Sequence, residues 1–186
     1  MQIAHLILDR DGVLNVEPPT GFVLDRAAWA WEPGARQALA ELTAAGVALS
    51  VATNQSCIGR GLVTAGGVDA LHAWVLGDAR AHGAAIARIL VCPHVDADAC
   101  ACRKPRPALL ERAIAESGIE PDRTLVLGDS KRDLEAARAA GLASALVRTG
   151  KGRAQEASCA SLARWVFEDL AAAAAAILGR QPYPRR

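Results

Sequence analysis

The sequence predicts a three-layer α/β domain, a parallel sheet with helices on both faces. Two observations carry that expectation. Five short runs, IAHLIL, VALSVAT, ARILVC, TLVLGD and ASALVR, are apolar along most of their length and rich in Val, Ile and Leu, as strands buried on both faces are. Helical patterns lie between them, and alternating strands and helices imply a parallel sheet. Right-handed crossovers then gather the strand-to-helix loops at one edge, where ligands bind beyond the carboxyl ends of the strands.

The first strand runs into DRDG, with Asp9 and Asp11 two apart and Gly12 permitting a tight turn. Residues 13–32, VLNVEPPTGFVLDRAAWAWE, form a long connection expected to make a flap or small hairpin over the site. The first helix follows in EPGARQALAELTAAG, with Pro33 placed to start it and Gly46 to stop it. The second strand ends at TNQS. There Thr53, Asn54 and Ser56 stand either as helix N-cap residues or as a cradle of hydroxyl, amide and backbone N–H donors for an anion.

A helix is expected over about residues 64–82. The third strand then gives way to CPHVDADACACRKP, which carries Cys92, His94, Cys100 and Cys102. A helix over 107–117 leads to the fourth strand, which ends in GDSKRD. Asp129 falls at that strand end and Asp133 in the first turn of a helix over 132–140, closed by Gly141. After the fifth strand, Lys151 and Arg153 are either substrate contacts or solvated charges. LAAAAAAIL, residues 170–178, is an alanine-rich helix, well below the roughly 20 apolar residues that span a bilayer. With 186 residues the chain suits one domain, expected over 1–178, with GRQPYPRR at 179–186 as a solvated tail.

Lys plus Arg is 21 and Asp plus Glu is 20, a net charge of +1. No strong field draws such a chain onto nucleic acid or membrane, so an anionic ligand must be held locally. The opening MQIAHLILDRDG lacks the parts of a signal peptide, which predicts the cytoplasm; a monomer is expected. Five cysteines, three of them bunched, favour metal binding over a disulfide framework among reduced thiols.

Asp9, Asp11 and Asp129 would converge on one edge of the sheet. Three such carboxylates repel unless a hard cation, most simply Mg²⁺, joins them. Lys104 adds a positive charge. The set suits phosphoryl transfer, in which one aspartate attacks phosphorus and a second, two residues on, serves as acid and then base. Cys92, His94, Cys100 and Cys102 offer three thiolates and an imidazole, a full tetrahedral set for structural Zn²⁺ that leaves no position open for catalysis. Cys57 and Cys159 are taken as ordinary thiols, His5, His72 and His82 as structural, and the four tryptophans as core.

LILDRDGVLN, VATNQS, Lys104 in CRKP and VLGDSKRD resemble, in order, the four motifs of the haloacid dehalogenase (HAD) superfamily of aspartate-nucleophile phosphatases. The resemblance runs from about residue 3 to residue 152. It implies a Rossmann-like, HAD-like sheet with a zinc-binding loop and without a large cap domain. It also implies Asp9 as nucleophile and Asp11 as general acid and base, with Thr53 and Lys104 holding the phosphoryl group. Asp9, the backbone carbonyl of Asp11 and Asp129 would bind Mg²⁺, and Asp133 would position Lys104 or a metal-bound water.

Within the superfamily, TNQS, CPH, CxCRKP and LVRTGKG are similar to D-glycero-D-manno-heptose 1,7-bisphosphate 7-phosphatases, small cytoplasmic enzymes that make the heptose precursor of lipopolysaccharide and related glycans. That likeness implies substrate contacts from Asn54, Gln55, Ser56 and Arg103, and from Glu17 and Thr20 in the segment lining the sugar pocket. Cys57 stands where that family usually has Gly, and Ala108 where KPxPG is common. Histidinol-phosphate phosphatases share the cysteine loop and RKP and remain the alternative; TNQS followed by GRG, and VRTGKG later, favour the heptose. A phospho-receiver domain phosphorylates an Asp after its third strand, whereas here the acids lead the chain. A zinc-dependent interaction module needs a basic or aromatic face that a net charge of +1 does not supply.

Overall fold

The computed structural model describes residues 2–184. Its strands are β1 (His5–Leu8), β2 (Ala48–Asn54), β3 (Ile86–Cys92), β4 (Thr124–Gly128), β5 (Ala143–Val147) and β6 (Trp165–Phe167). All pair in parallel, in the order β3-β2-β1-β4-β5-β6. The helices are α1 (Ala35–Ala44), α2 (Ala65–Ala81), α3 (Ala108–Ser117), α4 (Lys131–Ala139), α5 (Gly152–Cys159) and α6 (Leu170–Ile177).

The inner strands β1, β2, β4 and β5 are buried on both faces, as their composition requires, while the edge strands β3 and β6 are only partly covered. Leu6 and Leu8 of β1 pack with Leu49, Val51, Leu125 and Leu127 under α1 and α6. Ile7, pointing the other way, packs with Ala52, Leu90 and Val126 under α3 and α4. In α6 the buried Ala173, Ala174 and Ala176 let the helix approach closely, so its alanine run is a packing face.

Two elements carried no legible sequence signal. β6 is three residues long and only Phe167 is buried; its place is fixed by pairing of Ala145 with Trp165. α5 buries only Gly152 and Cys159 and lacks an apolar 3.6-residue stripe. The connection at 13–32 forms no hairpin among the described residues. It has one 3₁₀ turn at Arg26–Ala28, capped by Asp25, and single bridges joining Asn15 to Asp11 and to Trp31. Pro18, Pro19 and Gly21 deny it a regular ladder. At the C-terminal end residues 179–182 are exposed, whereas Tyr183 turns back onto Trp165 with ring centroids 4.4 Å apart. Arg185 and Arg186 of the expected tail lie outside the described residues. Among the described residues no helix is long and apolar enough to cross a membrane.

Candidate active site

The chain winds outward from β1 through β2 to β3, then crosses back to lay β4 on the other side of β1. The crevice between β1 and β4 is therefore a topological switch point, where an open α/β sheet takes its ligand. A cavity of about 300 Å³ opens there, lined by Asp9, Asp11, Thr53, Lys104, Asp129 and further polar groups.

Asp9 follows β1 directly and its side chain is 13% exposed. Lys104 Nζ lies 2.9 Å from Asp9 Oδ1 and 2.6 Å from Asp133 Oδ1, and donates to the Ala52 carbonyl at 2.7 Å. Burial opposes the lysine charge, but Asp133 and Asp9 outweigh it and raise its pKa. Asp133 is fixed in turn: its Oδ2 accepts from Ser130 N–H and Oγ at 3.1 and 2.5 Å, a capping box at the start of α4. Asp133 is thus a brace for Lys104.

Oxygens of Asp9, Asp129 and Asp133 lie within 4.8 Å of one another. Burial, with Asp133 and Asp11 nearby, pushes Asp9 up to about 7 against the pull of Lys104. Burial, Asp9 and Asp133 push Asp129 up to about 8. Two carboxyls short of counter-charge, with oxygen donors only, fit a hard divalent cation. Asp129 sits tightly between two glycines: a Cβ on Gly12 or Gly150 would come 2.2 Å from Asp129 Oδ2. That oxygen accepts from the Lys151 N–H at 2.8 Å.

Asp11 is held differently. Its Oδ1 accepts from Arg10 Nε and Nη2 at 3.2 and 2.8 Å and from Asn15 Nδ2 at 3.0 Å; its Oδ2 accepts from Gln55 Nε2 at 2.9 Å. Burial works to raise its pKa, but the Arg10 charge and these hydrogen bonds prevail and hold the carboxyl below the usual range. Arg10 is fully buried, and its Nη1 is 3.0 Å from His72 Nε2 on α2. Burial and Arg10 lower His72 to about 4, so it remains a neutral acceptor.

The TNQS residues divide their work. Thr53 and Ser56 line the cavity. Asn54 also borders it, but its amide is spent on Lys104: Nδ2 donates to the Lys104 carbonyl at 3.0 Å and Oδ1 accepts the Lys104 N–H at 3.1 Å. Gln55 bridges Asp11 and Thr53, donating to Thr53 Oγ1 at 2.8 Å. The buried Cys57 thiol donates to Gln55 Oε1 at 3.6 Å, so the unusual cysteine supports the loop.

Cys92, His94, Cys100 and Cys102 converge beside this edge. Their sulfurs are 3.2, 3.6 and 3.7 Å apart, and His94 Nδ1 is 3.3 Å from Cys102 Sγ and 3.6 Å from Cys92 Sγ. A tetrahedron with sulfurs about 2.3 Å from its centre has edges of about 3.8 Å, so the cluster has the size of a closed zinc site. Arg103 and Lys104 leave it consecutively. Arg103 pairs through Nε with Asp96 at 2.5 Å and donates from Nη1 to the His94 carbonyl at 3.2 Å.

From the long connection, Glu17, Gly21 and Phe22 reach the cavity, and Glu17 is tied to Lys151 Nζ at 2.6 Å. Thr20 does not line it: the residue is exposed and its hydroxyl turns to the Phe22 carbonyl. Lys151 borders the cavity, while Arg153 pairs with Glu168 on the surface. Trp29 packs edge-on against Trp31 and Trp74 and lies under the Arg10 guanidinium, 5.8 Å from its ring centroid, without lining the cavity. Arg10, Asn15, Arg60, Asp96 and Arg132 are site residues that sequence reasoning did not single out. Only Arg10, set between the two motif acids, had a local signal.

A HAD-hydrolase-like family model matches residues 101–173. The D-glycero-β-D-manno-heptose-1,7-bisphosphate 7-phosphatase of Pseudomonas putida is 41% identical over 91% of this chain and 96% of its own. The corresponding α-heptose enzyme of Mycobacterium bovis is 38% identical over 87% and 88%. The crystal structure of D,D-heptose 1,7-bisphosphate phosphatase from Bordetella bronchiseptica, complexed with magnesium and phosphate, superimposes with a TM-score of 0.90 at 38% identity, covering 96% of this chain and all of that one. These relatives do not favour the histidinol-phosphate alternative. With motif residues, switch-point cavity and relatives in agreement, the chain belongs to the D-glycero-D-manno-heptose-1,7-bisphosphate 7-phosphatase family of HAD-like hydrolases.

Proposed function

We propose that this chain hydrolyses the 7-phosphate of D-glycero-D-manno-heptose 1,7-bisphosphate through an aspartyl phosphate on Asp9, as a cytoplasmic monomer supplying heptose for lipopolysaccharide or related glycans. The observation that carries the reading is the Asp9–Lys104–Asp133 chain beside Asp129, at the mouth of the switch-point cavity. Asp9 attacks phosphorus. Lys104, with Thr53, holds the phosphoryl oxygens, and its own place is set by Asp133, Asn54 and the Ala52 carbonyl.

Asp11 handles the proton. Its resting carboxylate is the form that later takes a proton from the hydrolytic water. Before that, the negative charge of a bound phosphate beside it raises its proton affinity, so that it takes up a proton from solvent as substrate binds and delivers it to the leaving C7 oxygen. Asp9, Asp129 and the Asp11 carbonyl would hold Mg²⁺, which when bound supplies the charge that lets a carboxylate approach a phosphate dianion. Cys92, His94, Cys100 and Cys102 would hold Zn²⁺ as a structural clasp that aims Arg103 and Lys104.

The test is phosphate release with Mg²⁺ from the α and β anomers of the heptose bisphosphate and from histidinol phosphate, with Asp9→Asn alongside. The bisphosphates should turn over with the higher kcat/KM, and Asp9→Asn should be inactive. Preference for histidinol phosphate would refute the substrate assignment; activity in Asp9→Asn would refute the nucleophile.

A further inference from the structure

Three arginines line the active-site cavity from three separate segments: Arg60 after β2, Arg103 after the cysteine cluster and Arg132 in the first turn of α4. With no anion between them they repel one another. Asp96, in a 3₁₀ turn of the cysteine loop, also lines the cavity. It pairs with Arg103 Nε at 2.5 Å, and the hydrogen bond and charge of Arg103, followed by the charges of Arg132 and Arg60, hold its carboxyl below the usual range.

The two partners are unequal in freedom. The Arg103 side chain is 9% exposed and is braced on the His94 carbonyl, whereas the Asp96 side chain is 84% exposed. Separating the pair therefore moves Asp96 into water and leaves Arg103 in place. Because its acid lies almost wholly in water, the pair is screened like a surface ion pair and is cheap to break.

We propose that Asp96 is a resident anion in the seat of the substrate's second phosphate, a seat made by Arg103 together with Arg60 and Arg132. The inference rests on the bisphosphate reading above and adds to it a specificity-determining acid and two further arginines. A phosphate dianion carries more charge than the carboxylate and three oxygens for the three guanidinium groups, so it displaces Asp96. A substrate with a single phosphate engages Lys104 and Asp9 and brings nothing to displace Asp96. Meanwhile Asp96 keeps Arg103 aimed and offsets the repulsion among the arginines.

The readout is the ratio of kcat/KM for the heptose 1,7-bisphosphate to that for heptose 7-phosphate, which cancels effects on the shared chemistry. In Asp96→Asn the competing charge is gone and the ratio should rise about two- to fivefold, the range of an exposed ion pair. In Arg132→Gln and Arg60→Gln the ratio should fall by at least a similar factor. A ratio that falls in Asp96→Asn would make Asp96 a strut for Arg103 and overturn the proposal, as would a ratio unmoved in all three variants. If the unaltered protein turns over neither substrate, the bisphosphate reading itself fails and the seat falls with it.

Discussion

Arg10 forks onto a single oxygen of Asp11, through Nε at 3.2 Å and Nη2 at 2.8 Å, and leaves the other oxygen facing Gln55 and the cavity. The fork fixes the rotation of the carboxyl group and keeps it ionised at rest. Its third nitrogen needs an acceptor in a fully buried place, and neutral His72 is that acceptor.

His72→Leu removes that acceptor and leaves a buried guanidinium N–H without its partner. Unfolding in urea should show a loss of about 1–3 kcal/mol, and His72→Gln, which can still accept, should recover part of it. Equal losses in both variants would show that helix packing, not Arg10, is what His72 serves.

Asp9 and Asp11 should fail in different ways. Asp9→Asn loses the attacking atom and should cost about 10³-fold or more in kcat. Asp11→Asn keeps the nucleophile and should cost about 10² to 10⁴-fold. Rapid quenching should trap phosphorylated protein in Asp11→Asn and none in Asp9→Asn; a phosphoenzyme in the latter would contradict the assignment.

Asn54 braces Lys104 through both its donor and its acceptor. Asn54→Ala should therefore lower kcat more than it raises KM, and should destabilise the fold by roughly 1–3 kcal/mol for the two lost bonds. A pure KM effect would return Asn54 to direct substrate binding.

The cysteine cluster should hold about one zinc per chain by metal analysis. Cys100→Ser should lose it, lower the melting temperature and raise KM, because Arg103 leaves the cluster immediately after Cys102. Purified protein without zinc but with undiminished stability would rule the clasp out.

His5 gives a pH dependence away from the catalytic site. Burial, and then Arg88, lower it from 6.5 to about 4; its Nε2 is 3.0 Å from Ser50 Oγ, and its buried Nδ1 has no partner among the described residues. The folded-state pKa is depressed, so the contribution to stability is present above 6.5 and is lost as pH falls through 4. The full shift is worth on the order of 3 kcal/mol. NMR of the imidazole should show it neutral at pH 5.5; a titration near 6.5 would contradict its burial.

Local chemistry made much of this protein readable. The five apolar runs and the helical stripes between them encode a two-faced sheet, and strand-end acids are visible wherever a carboxylate follows a run of Val, Ile and Leu. β6 escaped notice because three residues make no period, and α5 because its buried side is two residues wide. Of the flap or hairpin expected at 13–32, no regular hairpin ladder forms: the ends meet at a single antiparallel bridge between Asn15 and Trp31, and Pro18, Pro19 and Gly21 interrupt the stretch between.

The sequence alone set apart the groups whose type and place suit the proposed chemistry: Asp9, Asp11 and Asp129 at strand ends, and Lys104 just after three thiols and an imidazole within residues 92–102. Those are properties of residue type and local spacing, set by pleat, helix period and turn geometry. Tertiary structure decided what each group faces. Asn54 and Gln55 became braces, Thr20 turned outward, Arg10 found His72 from 62 residues away, and Asp96 came to stand among three arginines. Such pairings depend on which loops the parallel sheet folds onto one edge, and no local pattern encodes a contact between segments that meet only when the core closes.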